Sequence, residues 1–186
     1  PTITSRMQMV KTKPFKTENI TNYLEQKKGL LAEKSLQIAR LANGNLNTAL
    51  QLNQTEIKEE THLKEFQSWM QICYKANLKE LAKWTDEIAK NGRENQKEFL
   101  QYSLKLIRDC LLVNTLNESL LKTDKEETIF VRNFAPFIHG ENSVSIFEKI
   151  EKAIKNIERN ANPKILFYEL SLQMMRLLKV KRKLAN

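Results

Sequence analysis

The sequence predicts an all-α protein, and three observations lead to that class. Its 186 residues include only four glycines and four prolines, too few for the frequent turns of a strand-rich fold. Lysine, glutamate, leucine, alanine, glutamine and isoleucine, most of them strong helix formers, dominate the composition. Apolar residues recur at helical spacing along most of the chain instead of alternating with polar ones.

Residues 1–16 are the exception to the helical pattern. Residues 2–4 and 7–10 are short segments of β-branched or apolar residues without helical periodicity. The sequence Lys13-Pro14-Phe15 that follows interrupts regular secondary structure, because proline restricts the backbone of the residue before it. A lone strand has no sheet to join. We therefore expect a short N-terminal strand and linker, the end of a domain whose remainder lies outside this sequence.

Residues 17–56 predict a small unit of three short helices. The helices are expected at about 17–26, 31–43 and 46–52. Gly29 ends the first helix, and Gly44 stands where a left-handed cap would close the second. Asn45 is placed to cap the third helix. About forty residues make only a minimal bundle, so we expect neighbours to add stability.

Residues 57–186 predict a larger helical bundle. Helices are expected at about 60–75, 78–91, 95–115, 129–137, 143–157 and 163–178. Gly92 is expected to close the second of these, and Ser143 to cap the fifth. In the last, Asn162 provides the cap and Pro163 the first helical residue.

The final predicted helix has an unusually wide apolar stripe. Such a stripe is either central to the bundle or covered by another chain. The candidate partner-binding residues are Ile165, Leu166, Leu170, Met174, Leu177 and Leu178.

The sequence offers little catalytic or metal-binding chemistry. His62 and His139 are isolated, and neither a His-Glu-x-x-His nor a paired Cys-x-x-Cys motif is present. Cys73 and Cys110 lie among apolar residues, so we expect buried free thiols of a reduced, cytoplasmic protein. We expect no metal, no cofactor and no enzyme activity from this chain alone.

The net charge of +9 favours an anionic partner, but the excess sits at the two ends of the chain. Residues 61–141 carry twelve basic and twelve acidic side chains, whereas residues 142–186 carry ten and four. The densest basic run is 179–183. It keeps open the alternative of a nucleic-acid-binding module.

Two segments together carry the pattern of a known family. Residues 2–8 read Thr-Ile-Thr-Ser-Arg-Met-Gln, and residues 38–50 read Ile-Ala-Arg-Leu-Ala-Asn-Gly-Asn-Leu-Asn-Thr-Ala-Leu. They resemble the Thr-Ile-x-Ser-Arg-Cys-Gln strand and the Ile-Ala-x-x-Ala-x-Gly-x-x-x-x-Ala-Leu lid segment of clamp-loader ATPase-type subunits, in that order and spacing. Residues 160–170 are similar, more weakly, to the last collar helix of this family.

The resemblance implies a subunit of the clamp loader of bacterial DNA polymerase III. Residues 1–16 would end an ATPase-like domain, 17–56 would be a three-helix lid, and 57–186 a helical collar that forms a ring with other subunits. The implied partners are the tau/gamma and delta subunits, with the sliding clamp and primer-template DNA contacted through the whole assembly. Membrane association is not implied.

The resemblance also assigns roles to single residues. Arg6, supported by Ser5, would act in trans on the ATP of a neighbouring subunit, where an arginine stabilises charge on the γ-phosphate. Met7 replaces the cysteine of the family motif. Asn47 stands at the position of the sensor arginine and has no positive charge to offer a phosphate. This departure favours a delta-prime type of subunit over the ATPase tau/gamma type.

Two other functions remain open at this stage. The first is a helical interaction scaffold unrelated to replication, in which the stripe at 165–178 binds a different partner helix. The second is the nucleic-acid-binding module that uses the basic C-terminus.

Overall fold

The computed structural model describes residues 13–115 and 125–182, and within these ranges the chain is helical without strands. This confirms the all-α class. The helices are α1 (Thr17–Lys28), α2 (Ala32–Leu41), α3 (Leu46–Lys75), α4 (Leu78–Ile88), α5 (Arg93–Asn114), α6 (Lys125–Phe134), α7 (Gly140–Glu158) and α8 (Pro163–Leu177). A 3₁₀ turn, Ala135–Phe137, follows α6. The predicted strand segments at 2–4 and 7–10 lie outside the described residues.

The chain divides into two compact units, Pro1–Glu59 (unit 1) and Glu60–Asn186 (unit 2). The division falls inside α3. The core of unit 1 brings α1 and α2 together with the first turns of α3, and its buried apolar residues are Ile20, Leu24, Ile38, Ala39, Ala42 and Ala49.

Unit 2 is built around a large aromatic core. Trp69 of α3 stacks on Trp84 of α4 with 5.5 Å between ring centroids, and Phe167 of α8 meets Trp84 edge-on. The indole N–H of Trp69 donates to the hydroxyl of Ser171 at 2.7 Å. Because α3, α4 and α8 each contribute side chains here, this cluster holds three separate helices in place.

Several predicted helix ends are confirmed by their caps. Gly29, with φ +68°, caps α1 in the left-handed conformation that glycine adopts without steric cost. The prediction of Gly44 as the cap of α2 is wrong, since α2 ends at Leu41 with Ala42 as its cap and Gly44, with φ +81°, lies in the turn beyond it. The side-chain oxygen of Asn45 accepts the N–H groups of Asn47 and Thr48 at the start of α3. Asn162 does the same for Ile165 ahead of Pro163 in α8.

The prediction of two helices between 46 and 75 is wrong, since α3 continues through all thirty residues. The intervening stretch 53–61 has hardly any apolar residues and shows no helical stripe. It also has no glycine or proline, and its residues can stay helical in contact with water. Absence of periodicity therefore did not mean absence of helix.

Several other predicted boundaries are shifted, and the helix expected at 129–137 is instead α6, Lys125–Phe134. Helix α4 ends at Ile88, and Gly92 is the residue ahead of α5 and not the end of α4. The side-chain amide of Gln96, in the first turn of α5, donates to the carbonyls of Ile88 and Asn91. A side chain of α5 therefore caps the C-terminal end of α4. Helix α7 begins at Gly140, ahead of the predicted cap Ser143.

None of the helices in the described ranges has the length and apolarity needed to cross a lipid bilayer.

Candidate functional site

The lid-like segment 38–50 forms a helix–turn–helix in unit 1, from the second half of α2 into α3. Ile38, Ala39, Ala42 and Ala49 are buried, each with at most 3% of its surface exposed. Alanine at three of these four positions lets the helix backbones approach closely. The apolar and small positions of the motif are therefore the packing positions of this unit.

Gly44 has a second reason to be glycine besides its positive φ. A Cβ at this position would lie 2.6 Å from Cβ of Pro14 and 3.0 Å from the carbonyl oxygen of Phe15. The N–H of Phe15 donates to the carbonyl of Gly44 at 2.9 Å. The segment that precedes α1 is thus fixed against the turn of the motif, and no larger residue fits between them.

Asn47 lies exposed in the first turn of α3. Its backbone N–H is held by Asn45 at 2.9 Å, so the position follows directly from the helix cap. An amide at this site provides hydrogen bonds but no positive charge. Ser5 and Arg6 lie outside the described residues.

The apolar stripe of α8 is mostly internal to unit 2. Leu166, Leu170, Met174 and Leu178 belong to its core, and Leu177 is partly buried against it. A partner cannot cover side chains that are already enclosed by this chain. The prediction that these residues bind a partner is therefore wrong, and they are core residues. Ile165, with 67% of its surface exposed, is the one candidate of the six that remains accessible.

A buried polar junction that the sequence did not predict joins α5 to α6. The hydroxyl of Tyr102 donates to Glu127 at 2.6 Å, and the ammonium of Lys105 lies 3.1 Å from the same carboxylate. Asp109 is buried one turn further along α5, and burial raises the pKa of its carboxyl group. Tyr102 and Glu127 are 25 residues apart in sequence, so no local spacing of residue types predicts their hydrogen bond.

A second unpredicted junction centres on Asn142, in the first turn of α7. Its side-chain oxygen accepts the N–H of His139 at 2.9 Å. Its amide nitrogen donates to the carbonyls of Phe137 at 2.8 Å and Leu177 at 3.1 Å. One buried amide therefore caps α7 and connects it to the end of α8. The sequence rule for helix caps predicted Ser143 because the rule considers only the residues at the start of one helix and not contacts with a second helix.

Cys73 and Cys110 are buried free thiols, as predicted. Burial raises the pKa of each thiol to about 12, so neither is a thiolate at neutral pH. The Sγ–H of Cys73 faces the carbonyl of Ser171, and that of Cys110 faces the carbonyl of Val131. Both cysteines therefore pack as core residues.

No constellation typical of catalysis or metal binding emerges from the part of the chain that the structure describes. Within it, no group of three His, Cys, Asp or Glu side chains converges on a common point. An open groove of about 260 Å³ between α3 and α4 is lined by Lys75, Lys83, Glu80 and Glu87, whose charges balance. Neither feature provides an activated nucleophile or an acid–base pair.

Comparison with protein-family models, with curated proteins and with solved structures finds no match to this chain.

Proposed function

We propose that this chain is part of a bacterial sliding-clamp loader, in a subunit of the delta-prime type that does not hydrolyse ATP itself. Unit 1 would serve as the lid and unit 2 as the collar that assembles with the tau/gamma and delta subunits. The whole assembly, working in the cytoplasm, would contact the sliding clamp and primer-template DNA.

The observation that carries this proposal is the structural role of the lid-like pattern. Ile38, Ala39, Ala42 and Ala49 of the pattern are buried in unit 1, and Leu50 is partly buried. Gly44 lies in a turn with a positive φ, where a Cβ would lie 2.6 Å from that of Pro14. Any pair of amphipathic helices buries its apolar positions, so the turn at Gly44 is the more specific part of the pattern. The joint use of the buried positions and this turn in one helix–turn–helix supports a shared local fold.

Exposed positions of the same segment support the choice of subunit. Asn47 is accessible at the place where an ATP-binding subunit would present an arginine, but it has no charge with which to bind a γ-phosphate. A subunit without this arginine can still provide Arg6 to a neighbour. The proposed subunit would therefore contribute an arginine to the ATP site of a neighbour without placing one at an ATP site of its own.

The test is ATP hydrolysis by a loader assembled from this protein with the tau/gamma and delta subunits, in the presence of clamp and primed DNA. Loss of an arginine finger slows hydrolysis at its site by about 10³–10⁵-fold, so Arg6→Ala should remove the contribution of one site. Arg6→Lys should rescue little, because an ammonium lacks the forked geometry of guanidinium.

Arg40→Ala is the matched control, since Arg40 is an exposed arginine within the lid-like segment. It should leave hydrolysis unchanged. Failure of the chain to assemble with the loader subunits, or equal effects of Arg6→Ala and Arg40→Ala, would contradict the proposal. Assembly with an unrelated helical protein instead would favour the scaffold alternative.

A further inference from the structure

One end of unit 2 combines an exposed aromatic ring with a cluster of cations. Tyr74 lies in the last turn of α3 with 54% of its surface exposed, and its ring contacts that of Phe137 at a centroid distance of 5.2 Å. The basic residues 179–182 follow α8. We call Tyr74 and residues 179–182 the terminal face.

Two buried side chains hold these elements side by side. Asn142 donates to the carbonyls of both Phe137 and Leu177, which places the end of α8 beside the turn that contacts Tyr74. The Nε2 atom of His139 lies 3.0 Å from the carbonyl oxygen of Val180. Since a carbonyl only accepts, Nε2 carries the proton in this contact. The basic segment is therefore fixed to unit 2 at the end that carries the turn in contact with Tyr74.

The terminal face is positively charged after its neighbours are counted. Lys179, Lys181 and Arg182 contribute three positive charges, and none of the three forms an ion pair with the described residues. The carboxylate of Glu141 lies 2.8 Å from Nδ1 of His139 and contributes one negative charge nearby. The C-terminal ends of α3 and α8 add about −0.5 charge each, so a net charge of about +1 remains. The basic residues therefore exceed the number needed to balance the negative ends of the two helices.

We propose that the terminal face binds single-stranded nucleic acid, with a base stacked on Tyr74 and the flanking phosphates on residues 179–182. An exposed aromatic ring beside a basic segment is the combination by which proteins bind single strands without reading their sequence. A duplex keeps its bases stacked on one another and leaves none for the ring. The contact with Phe137 restricts the ring before binding, which lowers the entropic cost of stacking.

This inference is independent of the proposed loader function, because the terminal face lies within unit 2 and needs no other subunit. It also differs from contact of a whole loader with primer-template DNA. The two proposals can fail separately, since one is tested with the chain alone and the other with an assembled loader.

The experiment is fluorescence anisotropy of a labelled oligothymidylate of about 12 nucleotides, titrated with the 186-residue chain between about 50 and 200 mM salt. Tyr74→Ala should weaken binding about tenfold, whereas Tyr74→Phe keeps the ring and should bind like the unmodified chain. The double variant Lys181→Ala/Arg182→Ala should weaken binding and reduce the magnitude of the salt slope by about 1.4.

Lys152→Ala/Lys155→Ala is the matched control, because it removes the same charge from exposed positions of α7. It should leave the slope unchanged, and circular dichroism should show that all variants stay folded. A hairpin duplex should bind more weakly and be insensitive to Tyr74→Ala. The proposal is overturned if Tyr74→Ala binds as tightly as Tyr74→Phe, if both double variants lower the slope equally, or if the chain binds anionic vesicles but not the oligonucleotide.

Discussion

The two units of this chain differ in how their cores are made. The buried apolar residues of unit 1 number six among the described residues; three of them are alanines and none is aromatic. Unit 2 buries 28, including Trp69, Trp84, Phe66, Phe99 and Phe167. Large aromatic side chains dominate core energetics, whereas alanines contribute close packing and little apolar area. The helices of unit 1 therefore approach each other closely, whereas the aromatic core of unit 2 contributes more to stability.

The largest expected effect comes from removing the centre of the aromatic core. Trp69→Ala deletes a fully buried ring and its hydrogen bond to Ser171, so the free energy of unfolding of unit 2 should fall by about 4 kcal/mol. Ile38→Ala, the counterpart in unit 1, should cost about 3 kcal/mol, enough to unfold a core of six residues. Urea unfolding followed by far-UV circular dichroism measures both.

The exposed residue Leu41 provides the control for that pair, and Leu41→Ala should change stability by less than about 0.5 kcal/mol. If Ile38→Ala left the content of helix unchanged at low urea, unit 1 would be more stable than its core implies.

The next effect separates two glycines of unit 1 that share a left-handed backbone. Gly44→Ala adds a Cβ 2.6 Å from Pro14, whereas Gly29→Ala meets nothing within 4 Å. Both variants bear the left-handed strain of about 1 kcal/mol, and the clash should raise the cost at Gly44 to about 3 kcal/mol. Thermal or urea unfolding of the two variants compares them directly. Equal costs would mean that the contact with Pro14 and Phe15 does not persist in solution.

The smallest effect concerns the buried junction of unit 2. Burial raises the pKa of Asp109 above 3.8, so the folded state keeps a proton that the unfolded state has already lost. Stability should therefore fall as the pH rises from below 3.8 through the folded-state pKa of Asp109. Asp109→Asn resembles the protonated form at every pH, so its unfolding free energy should lack this fall. Urea unfolding over a pH series, with Asp86→Asn on an exposed part of α4 as control, measures the difference. Parallel profiles for Asp109→Asn and the unmodified chain would contradict the assignment.

The sequence predicted most helices of both units because their apolar residues repeat at helical spacing. The caps at Gly29, Asn45 and Asn162 were also predictable, since each depends on one residue and its own helix. The continuity of α3 was missed because a solvated helix needs no apolar stripe.

The parts of the candidate site that the sequence missed depend on contacts between distant residues. Asn142 connects to Leu177 35 residues away, and His139 connects to Val180 across 41. The wide stripe of α8 was compatible with either a central helix or a partner-covered one. Only the packing of Leu166, Leu170 and Met174 against the other helices of unit 2 decides between them.

We infer that the lid-like unit is the less stable of two units that divide inside one continuous helix. Native-state hydrogen exchange along α3 tests it most directly, because Leu46–Lys75 includes residues of both units. We predict weak protection up to about Glu59 and strong protection from about Glu60 to Lys75, with the step falling within the helix. Uniform protection along all of α3 would contradict the claim.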